Sequence, residues 1–361
     1  MKVAIAGSRG IPANYGGFET FAEELSVRLV DAGVDTSVVC QAGSSDARQF
    51  MGAKLLYSRF SKAKNPVKFY RESIRIGLKA ADVILVCGVG GAIFYPFLKR
   101  GDKKIITQVD GREEQRGKYS FLKKLYVRMA QLFAAHFSDY LVADSLHVMN
   151  YWKGKWPRTR HKISVIEYGA TLHPVSGEEM KTMLPLAHDS YYLVVCRIVP
   201  ENNLAMILNG FAASKSSRSL VIVGDTSGTY GDQLKKFASS KIIFMEGIYD
   251  KRELNTLRRN CFAYVHGHSV GGTNPSLLEA MAAGNICICH ENEFNREVTN
   301  DRMFYFKSEN ELATQLNRVE LLPASERKNY SDFALQRISG YYNWERITTA
   351  YIDLFKKLCA K

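Results

Sequence analysis

The feature that most constrains the fold is a rhythm that runs the length of the chain. Short apolar runs end in glycine-rich or polar turns and are followed by amphipathic stretches. Val3–Ala6 reads as a strand, and Phe18, Phe21, Ala22, Leu25 and Leu29 then recur at helical spacing until Gly33. Thr36–Cys40, Val83–Cys87, Lys104–Gln108 and Tyr140–Ala143 read as further strands. Glu167–Asp189 carries Gly169, Pro174, Gly177 and Pro185 and reads as a linker. The rhythm then restarts with strands at Tyr191–Cys196, Ser219–Val223, Lys241–Phe244, Cys261–His266 and Ile286–Cys289. Helices are expected over Leu204–Phe211 and Pro275–Ala283, and after Asp250, which with Glu253 forms a capping box. Alternating strands and helices predict parallel sheets covered on both faces. Two such series predict two α/β domains, 1–187 and 188–340, facing a central cleft. The aromatic, amphipathic run Tyr341–Cys359 is expected to dock as a helix.

Length and composition agree. At 361 residues the chain is long for one core and natural for two. The uncharged run Val83–Leu98 is too short for a bilayer span and is interrupted by glycines and Pro96. The N-terminus lacks the pattern of a secretory leader. Seven cysteines stand singly, with no Cys-x-x-Cys, so neither a disulfide framework nor a zinc site is expected. A cytoplasmic protein fits. The net charge of +13 is uneven: residues 1–187 carry 28 Lys and Arg against 17 Asp and Glu, whereas residues 188–361 carry 21 against 19. The excess is densest over 54–79 and 99–128. It admits a solvated surface, a nucleic acid, or an anionic membrane or pyrophosphate-bearing acceptor. No zinc finger, RNA-recognition pattern or basic heptad array supports the nucleic acid.

Four constellations carry chemistry. The first, Gly7 to Thr20, joins the first strand to the first helix. Its glycines, Gly16 and Gly17 among them, allow close backbone approach, and the helix start can meet an anion. Its spacing is not the dinucleotide Gly-x-Gly-x-x-Gly, and a long tight turn would read the same way. The second is Arg197, just past the strand Tyr191–Cys196, in Arg197-Ile198-Val199-Pro200-Glu201-Asn202-Asn203. Residues past strand C-termini face the ligand crevice, and a guanidinium there suits a phosphate; pairing with Glu201 is the alternative. The third runs from Tyr264 to Gly284. A strand ends in the loop His266-Gly267-His268-Ser269-Val270-Gly271-Gly272-Thr273-Asn274. Asn274 is then an N-cap, Pro275 a first helical residue, and Gly284 a terminator. The loop amides and helix end make an anion site, and Glu279 can accept hydrogen bonds from hydroxyls or simply balance charge near a helix start. The fourth is Asp110 in Gln108-Val109-Asp110-Gly111, a carboxylate at a strand end or an ordinary turn.

The third segment resembles the nucleotide-sugar site of family 4 glycosyltransferases, retaining enzymes of the GT-B fold. That family places Glu-x7-Glu before Ala-Met-Ala-x-Gly; here the second glutamate is Glu279 and the first position is Gly271. The family's donor-phosphate pair is an arginine and, about five residues on, a lysine; here Arg197 is present and Asn202 stands in the lysine's place. Arg9 to Thr20, Val109-Asp110-Gly111, Pro200-Glu201-Asn202-Asn203 and His266 to Asn274 resemble, more narrowly, bacterial β-rhamnosyltransferases of capsule and cell-wall polysaccharide assembly.

The resemblance implies a two-domain GT-B chain whose C-terminal helix, about 341–361, returns to the N-terminal domain. It implies retaining transfer of L-rhamnose from dTDP-L-rhamnose to a lipid-pyrophosphate-linked saccharide, at the inner face of the cell membrane. Arg197 with Gly272, Thr273 and Asn274 would hold the diphosphate, Glu279 the ribose, and the loop around Ile248 and Tyr249 the base. His268 and Asp110 would face the transferred sugar and the acceptor. Gly16 and Gly17 would allow contact with donor phosphate or acceptor, and Asn202 would line the donor site. No Asp-x-Asp pair occurs, so neither a metal nor another cofactor is expected. A UDP-hexose transferase, a sugar-nucleotide epimerase and a non-catalytic sugar-binding module are the alternatives.

Overall fold

A computed structural model describes residues 1–13, 16–44, 46–109, 111, 120–172, 187–248 and 250–360. The chain divides into two compact units, Met1–Tyr168 with Trp344–Lys361, and Gly169–Asn343. The first segment of unit one ends at Tyr168, so the expected linker from Gly169 on falls in the second unit.

Among the described residues the first unit holds eight strands: β1 (Lys2–Ala6), β2 (Asp35–Cys40), β3 (Gln49–Phe50), β4 (Ala53–Tyr57), β5 (Val83–Cys87), β6 (Lys104–Val109), β7 (Tyr140–Ala143) and β8 (Ile163–Val165). Their order is β3-β4-β2-β1-β5-β6-β7-β8, and every pairing is parallel except the short β3–β4 hairpin. Central strands read as unbroken apolar runs because helices cover both faces; β5, Val-Ile-Leu-Val-Cys, is buried throughout. The chain steps outward from β1 to β4 and returns to β5 beside β1. The switch point of this sheet therefore lies between the ends of β1 and β5.

The helix Trp344–Cys359 belongs to this unit. Its apolar positions Trp344, Ile347, Tyr351, Phe355 and Leu358 recur at helical spacing and are buried. Phe21, on the helix Gly17–Asp31, meets the rings of Tyr168, Trp344 and Tyr351 with centroids 5.3, 6.3 and 5.7 Å away. Each such ring contributes roughly 1.5–3 kcal/mol through burial. Arg346 adds an ion pair with the buried carboxylate of Glu167 at 2.8 Å. One helix at the end of the chain thus completes the core begun by the first 168 residues.

The second unit holds β9 (Tyr191–Val195), β10 (Ser219–Val223), β11 (Ile242–Met245), β12 (Ala263–His266), β13 (Cys287–His290) and β14 (Phe304–Phe306). Their order is β11-β10-β9-β12-β13-β14, all parallel. Tyr192, Ile207, Leu208, Phe211, Leu220, Ile222 and Phe306 are among the side chains of its core. The chain runs outward from β9 to β11 and returns at β12 beside β9. A second switch point therefore lies between the ends of β9 and β12, where Arg197 and the loop after His266 emerge.

Candidate active site

Arg197 follows β9 by two residues. It is exposed, and among the described residues its guanidinium makes no ion pair. Pairing with Glu201 does not occur: both carboxylate oxygens of Glu201 are buried with no hydrogen-bond partner among the described residues. The backbone beneath Arg197 is fixed. The Asn202 amide nitrogen donates to the Arg197 carbonyl at 2.7 Å, and Val199 N–H donates to the same oxygen at 2.9 Å.

The turn after β9 is stitched to the loop after β12. Asn203 takes a left-handed conformation (φ 50°) that lets its amide nitrogen donate to Gly267 O at 2.8 Å. Ser269 donates to Glu201 O through its backbone, at 3.0 Å, and through its hydroxyl, at 2.9 Å. Gly267 is required by contact: a Cβ there would lie 2.0 Å from Asn202 O. His268 Nδ1 sits 2.9 Å from Asn202 Oδ1. Since Asn202 spends its nitrogen on Arg197, its oxygen faces the ring. Nδ1 is then the donor to that oxygen. The His268 carbonyl is itself held by the amide nitrogens of Asn292 and Asn295, at 2.9 and 3.0 Å. Sequence reasoning missed these two. Asn292 is the N-cap of the helix Glu293–Thr299 and Asn295 lies three positions on, a polar pair after a buried strand that was the available signal.

The helix Pro275–Ala282 starts as expected. Asn274 Oδ1 accepts from Ser276 N–H at 3.0 Å and from its hydroxyl at 2.9 Å, Pro275 fills the first position, and Gly284 (φ 77°) ends it. The amides of Gly272 and Asn274 donate to no other group among the described residues. Thr273 is buried between them. Gly271 has φ 131°, a region that glycine enters readily and glutamate does not. The Gly at this position is therefore built into the loop's conformation. Glu279 forms a close ion pair with Arg258, a nearly buried guanidinium that also reaches Asn255 at 3.0 Å. Arg258 too was missed, because it sits in an ordinary amphipathic helix, Lys251–Asn260.

Beneath the loop, His266 stacks on Tyr264 with centroids 6.1 Å apart and lies 6.0 Å from the His268 ring. Burial, reinforced by the neighbouring His268 and His290, holds its imidazole well below the usual range, so it is neutral. Burial likewise pushes the Cys196 thiol up to about 12, which makes it a packing group and not a nucleophile.

Ile248 follows β11, separated from the β9 end by β10. Between them, Gly224 packs so closely that a Cβ would lie 2.3 Å from Cys196 O. Arg197, Asn202, His268, Gly272, Thr273 and Asn274 therefore rise from adjacent strand ends, whereas Ile248 stands at the far side of the same sheet edge. Asn202 is buried, and its amide contacts both the Arg197 carbonyl and the His268 ring.

In the first unit, Gly16 caps the helix Gly17–Asp31 in an extended conformation, its carbonyl accepting from Glu19 and Thr20 N–H. The preceding loop turns its amides inward. Gly7 N–H donates to Ser73 Oγ at 3.2 Å, Arg9 N–H to Glu19 Oε1 at 2.7 Å, and Ala13 N–H to Glu23 Oε2 at 2.7 Å. Lys62 Nζ donates to Gly7 O at 2.6 Å. Burial opposes the charge on Lys62, but Tyr70 and Glu19 outweigh it and raise the lysine. Gly7 and Gly10 have positive φ, and a Cβ on Gly10 would strike Cys40 at 2.6 Å. These glycines serve packing against neighbouring strands. Asp110 and Tyr249 lie outside the described residues.

A cavity of about 680 Å³ lies elsewhere in the second unit, around β14. Its cations are already engaged: Arg296 pairs with Glu291 and Asp301, Arg302 lies over the Phe333 ring, and Arg318 over that of Phe304. Arg197, unpaired at a switch point, carries the stronger claim to an anion.

Residues 178–337 match the family described as glycosyl transferases group 1, and residues 1–65 match a domain of unknown function, DUF1972. No curated protein matches the sequence. Solved structures match over the whole chain. Sucrose-phosphate synthase from Thermosynechococcus elongatus is 14% identical with a TM-score of 0.83, covering 99% of both chains. Anabaena Alr3699/HepE, in complex with UDP-glucose, is 13% identical with a TM-score of 0.80, covering 99% of both. A glycosyltransferase from Rickettsia africae ESF-5 is 14% identical with a TM-score of 0.73, covering 99% of this chain and 98% of that one. The fold is GT-B, and the second unit is a glycosyl transferase group 1 domain. The chain is therefore a glycosyltransferase.

Proposed function

We propose that the chain transfers L-rhamnose from dTDP-L-rhamnose to a lipid-pyrophosphate-linked saccharide, with retained configuration, at the cytoplasmic face of the cell membrane. The observation that carries the nucleotide-sugar part is that Arg197, whose guanidinium makes no ion pair among the described residues, and the Gly272 and Asn274 amides, which donate to no group among them, follow the adjacent strands β9 and β12 at a sheet switch point. A diphosphate leaving group develops charge as the bond to the sugar breaks, and fixed donors aimed at that charge lower the barrier. The sugar C1–oxygen bond to the diphosphate breaks while the acceptor oxygen bonds C1 on the same face. The acceptor's proton passes to the departing phosphate oxygen, so no second carboxylate is needed. His268, through Nε2, orients a hydroxyl of the transferred sugar, and Glu279, aligned by Arg258, accepts from the ribose.

The rhamnosyl donor and lipid acceptor rest on the sequence resemblance alone. A UDP-hexose donor is the second reading, favoured by the UDP-glucose bound in the Anabaena structure of like fold. Because the leaving charge is met by Arg197 and a helix end, transfer is proposed to need no divalent ion. Titration calorimetry with dTDP-rhamnose, dTDP-glucose and UDP-glucose, followed by transfer to a synthetic lipid-diphosphate acceptor with and without EDTA, tests each part. Tighter binding and faster transfer from UDP-glucose would replace the rhamnosyl reading, and loss of transfer in EDTA would remove the metal-free one.

A further inference from the structure

The helix Phe121–Phe137 buries one face, Val127, Ala130, Gln131, Ala134 and Ala135, against its own unit. Tyr126, at the edge of that face, anchors it by donating to Gly90 O at 2.6 Å. Its outward face is the reverse of what water prefers. Phe121 is 80% exposed and Leu122 75%, with Leu125, Met129 and Leu132 also exposed. At about 100° per residue these five fall within an arc of about 100°, one continuous apolar stripe. Single exposed apolar residues are unremarkable, but a contiguous stripe marks a contact surface.

The polar residues around the stripe identify the partner. The helix contains no aspartate or glutamate, and Lys123, Lys124 and Arg128 are its charged residues. Arg128 is exposed, lies next to the stripe on the helical wheel and has no ion-pair partner among the described residues. The segment Val89–Phe97, on which the helix packs, ends in Phe97, 79% exposed, and continues into Lys99 and Arg100. Arg100 donates to Phe137 O at 3.2 Å, which ties this segment to the end of the helix, while its charge is paired with Asp139 at 3.1 Å. Apolar stripe, cationic flank and a helix without acid together match the interfacial zone of an anionic bilayer, where acyl chains and negative headgroups lie a few ångströms apart.

We infer that the helix Phe121–Phe137 lies in the headgroup region of an anionic membrane, with Phe121, Leu122, Leu125, Met129 and Leu132 inserted and Lys124 and Arg128 paired to lipid phosphates. The inference rests on the proposed membrane-linked acceptor for its biological sense and on the helix itself for its physics. The test is flotation of the full chain with vesicles of phosphatidylglycerol and phosphatidylcholine, against phosphatidylcholine alone, at low and high salt. The wild-type chain is expected to float with anionic vesicles at low salt, and far less with neutral ones or in high salt.

Leu122→Gln/Leu125→Gln is expected to lower partitioning at least about tenfold, since burying each leucine is worth that much or more. Lys124→Gln/Arg128→Gln should lower it and flatten the salt dependence. All these side chains reach solvent, so melting temperature and nucleotide-sugar binding should stay unchanged; those two readouts separate this surface from the proposed donor site. Wild-type flotation by the leucine variant would overturn the inference, as would equal flotation on neutral vesicles. A lipid-free dimer that the leucine variant splits into monomers would assign the stripe to a second copy of the chain instead.

Discussion

Glu279→Ala is the substitution whose outcome can be worked out most fully from the structure. The Glu279 carboxylate is the partner of Arg258, whose side chain is only 3% exposed and whose Nε already lacks a hydrogen-bond partner. Removing one member of a buried pair leaves the other charge uncompensated, at about 3–5 kcal/mol. Glu279 itself is 33% exposed, so water reaches the gap and the cost falls to about 2–3 kcal/mol. The second unit spans Gly169–Asn343. A domain of that size loses roughly 2–4 °C per kcal/mol, so the melting temperature of this unit should drop by about 4–12 °C.

Replacing both partners, as Arg258→Met/Glu279→Leu, removes the stranded charge and should restore most of that loss. Nucleotide binding should separate from stability. Both variants should bind nucleoside diphosphate about tenfold or more weakly, because a hydrogen bond from ribose to a carboxylate is worth about 1.5–3 kcal/mol. Scanning calorimetry and titration calorimetry on the same samples give both numbers. A melting temperature within 2 °C of wild type for Glu279→Ala would refute the assignment of Glu279 as the counter-ion of Arg258. Full nucleotide affinity in the double variant would refute its contact with the ligand.

Arg197→Ala should lower turnover about a hundredfold in a donor-saturated assay while leaving the melting temperature within about 1 °C, since the side chain is exposed and unpaired. Gly267→Ala should cost at least about 2 kcal/mol in a denaturant melt and weaken nucleotide binding, because its Cβ would meet Asn202 O at 2.0 Å and shift the groups that hold Arg197 and His268. His266 is held neutral in the fold, below the usual value of 6.5. The unfolded chain therefore takes up a proton that the folded chain refuses, and stability present above that value is lost as pH falls, by about 1.4 kcal/mol per unit. Thermal melts from pH 7 to 5.5 should show this slope, and His266→Asn should flatten it; an unchanged slope would place the titrating group elsewhere.

The alternation of apolar runs and turns carried most of the fold because strands buried on both faces must be apolar end to end. β7 and β10 match the expected Tyr140–Ala143 and Ser219–Val223 to the residue. Three strands at or next to a sheet edge escaped. β4 (Ala-Lys-Leu-Leu-Tyr), β8 (three residues) and β14 (Phe-Tyr-Phe) are short or half-polar, and their pairing is set by neighbours distant in sequence. Asn274, Pro275 and Gly284 were legible because capping chemistry is local. The partners of the site were not. Asn292, Asn295 and Arg258 act across gaps of 24, 27 and 21 residues, which no local pattern records. The inward turn of Glu19 and Glu23 onto the first glycine loop was hidden for the same reason.

In the proposed site a nucleoside diphosphate is gripped by Arg197 and the amides that open the helix Pro275–Ala282. A crystal structure of the chain with bound dTDP measures this directly. Diphosphate oxygens are expected within hydrogen-bond distance of the Arg197 guanidinium and of the Gly272 or Asn274 amide. Diphosphate density away from both, for example among the arginines around β14, would contradict it.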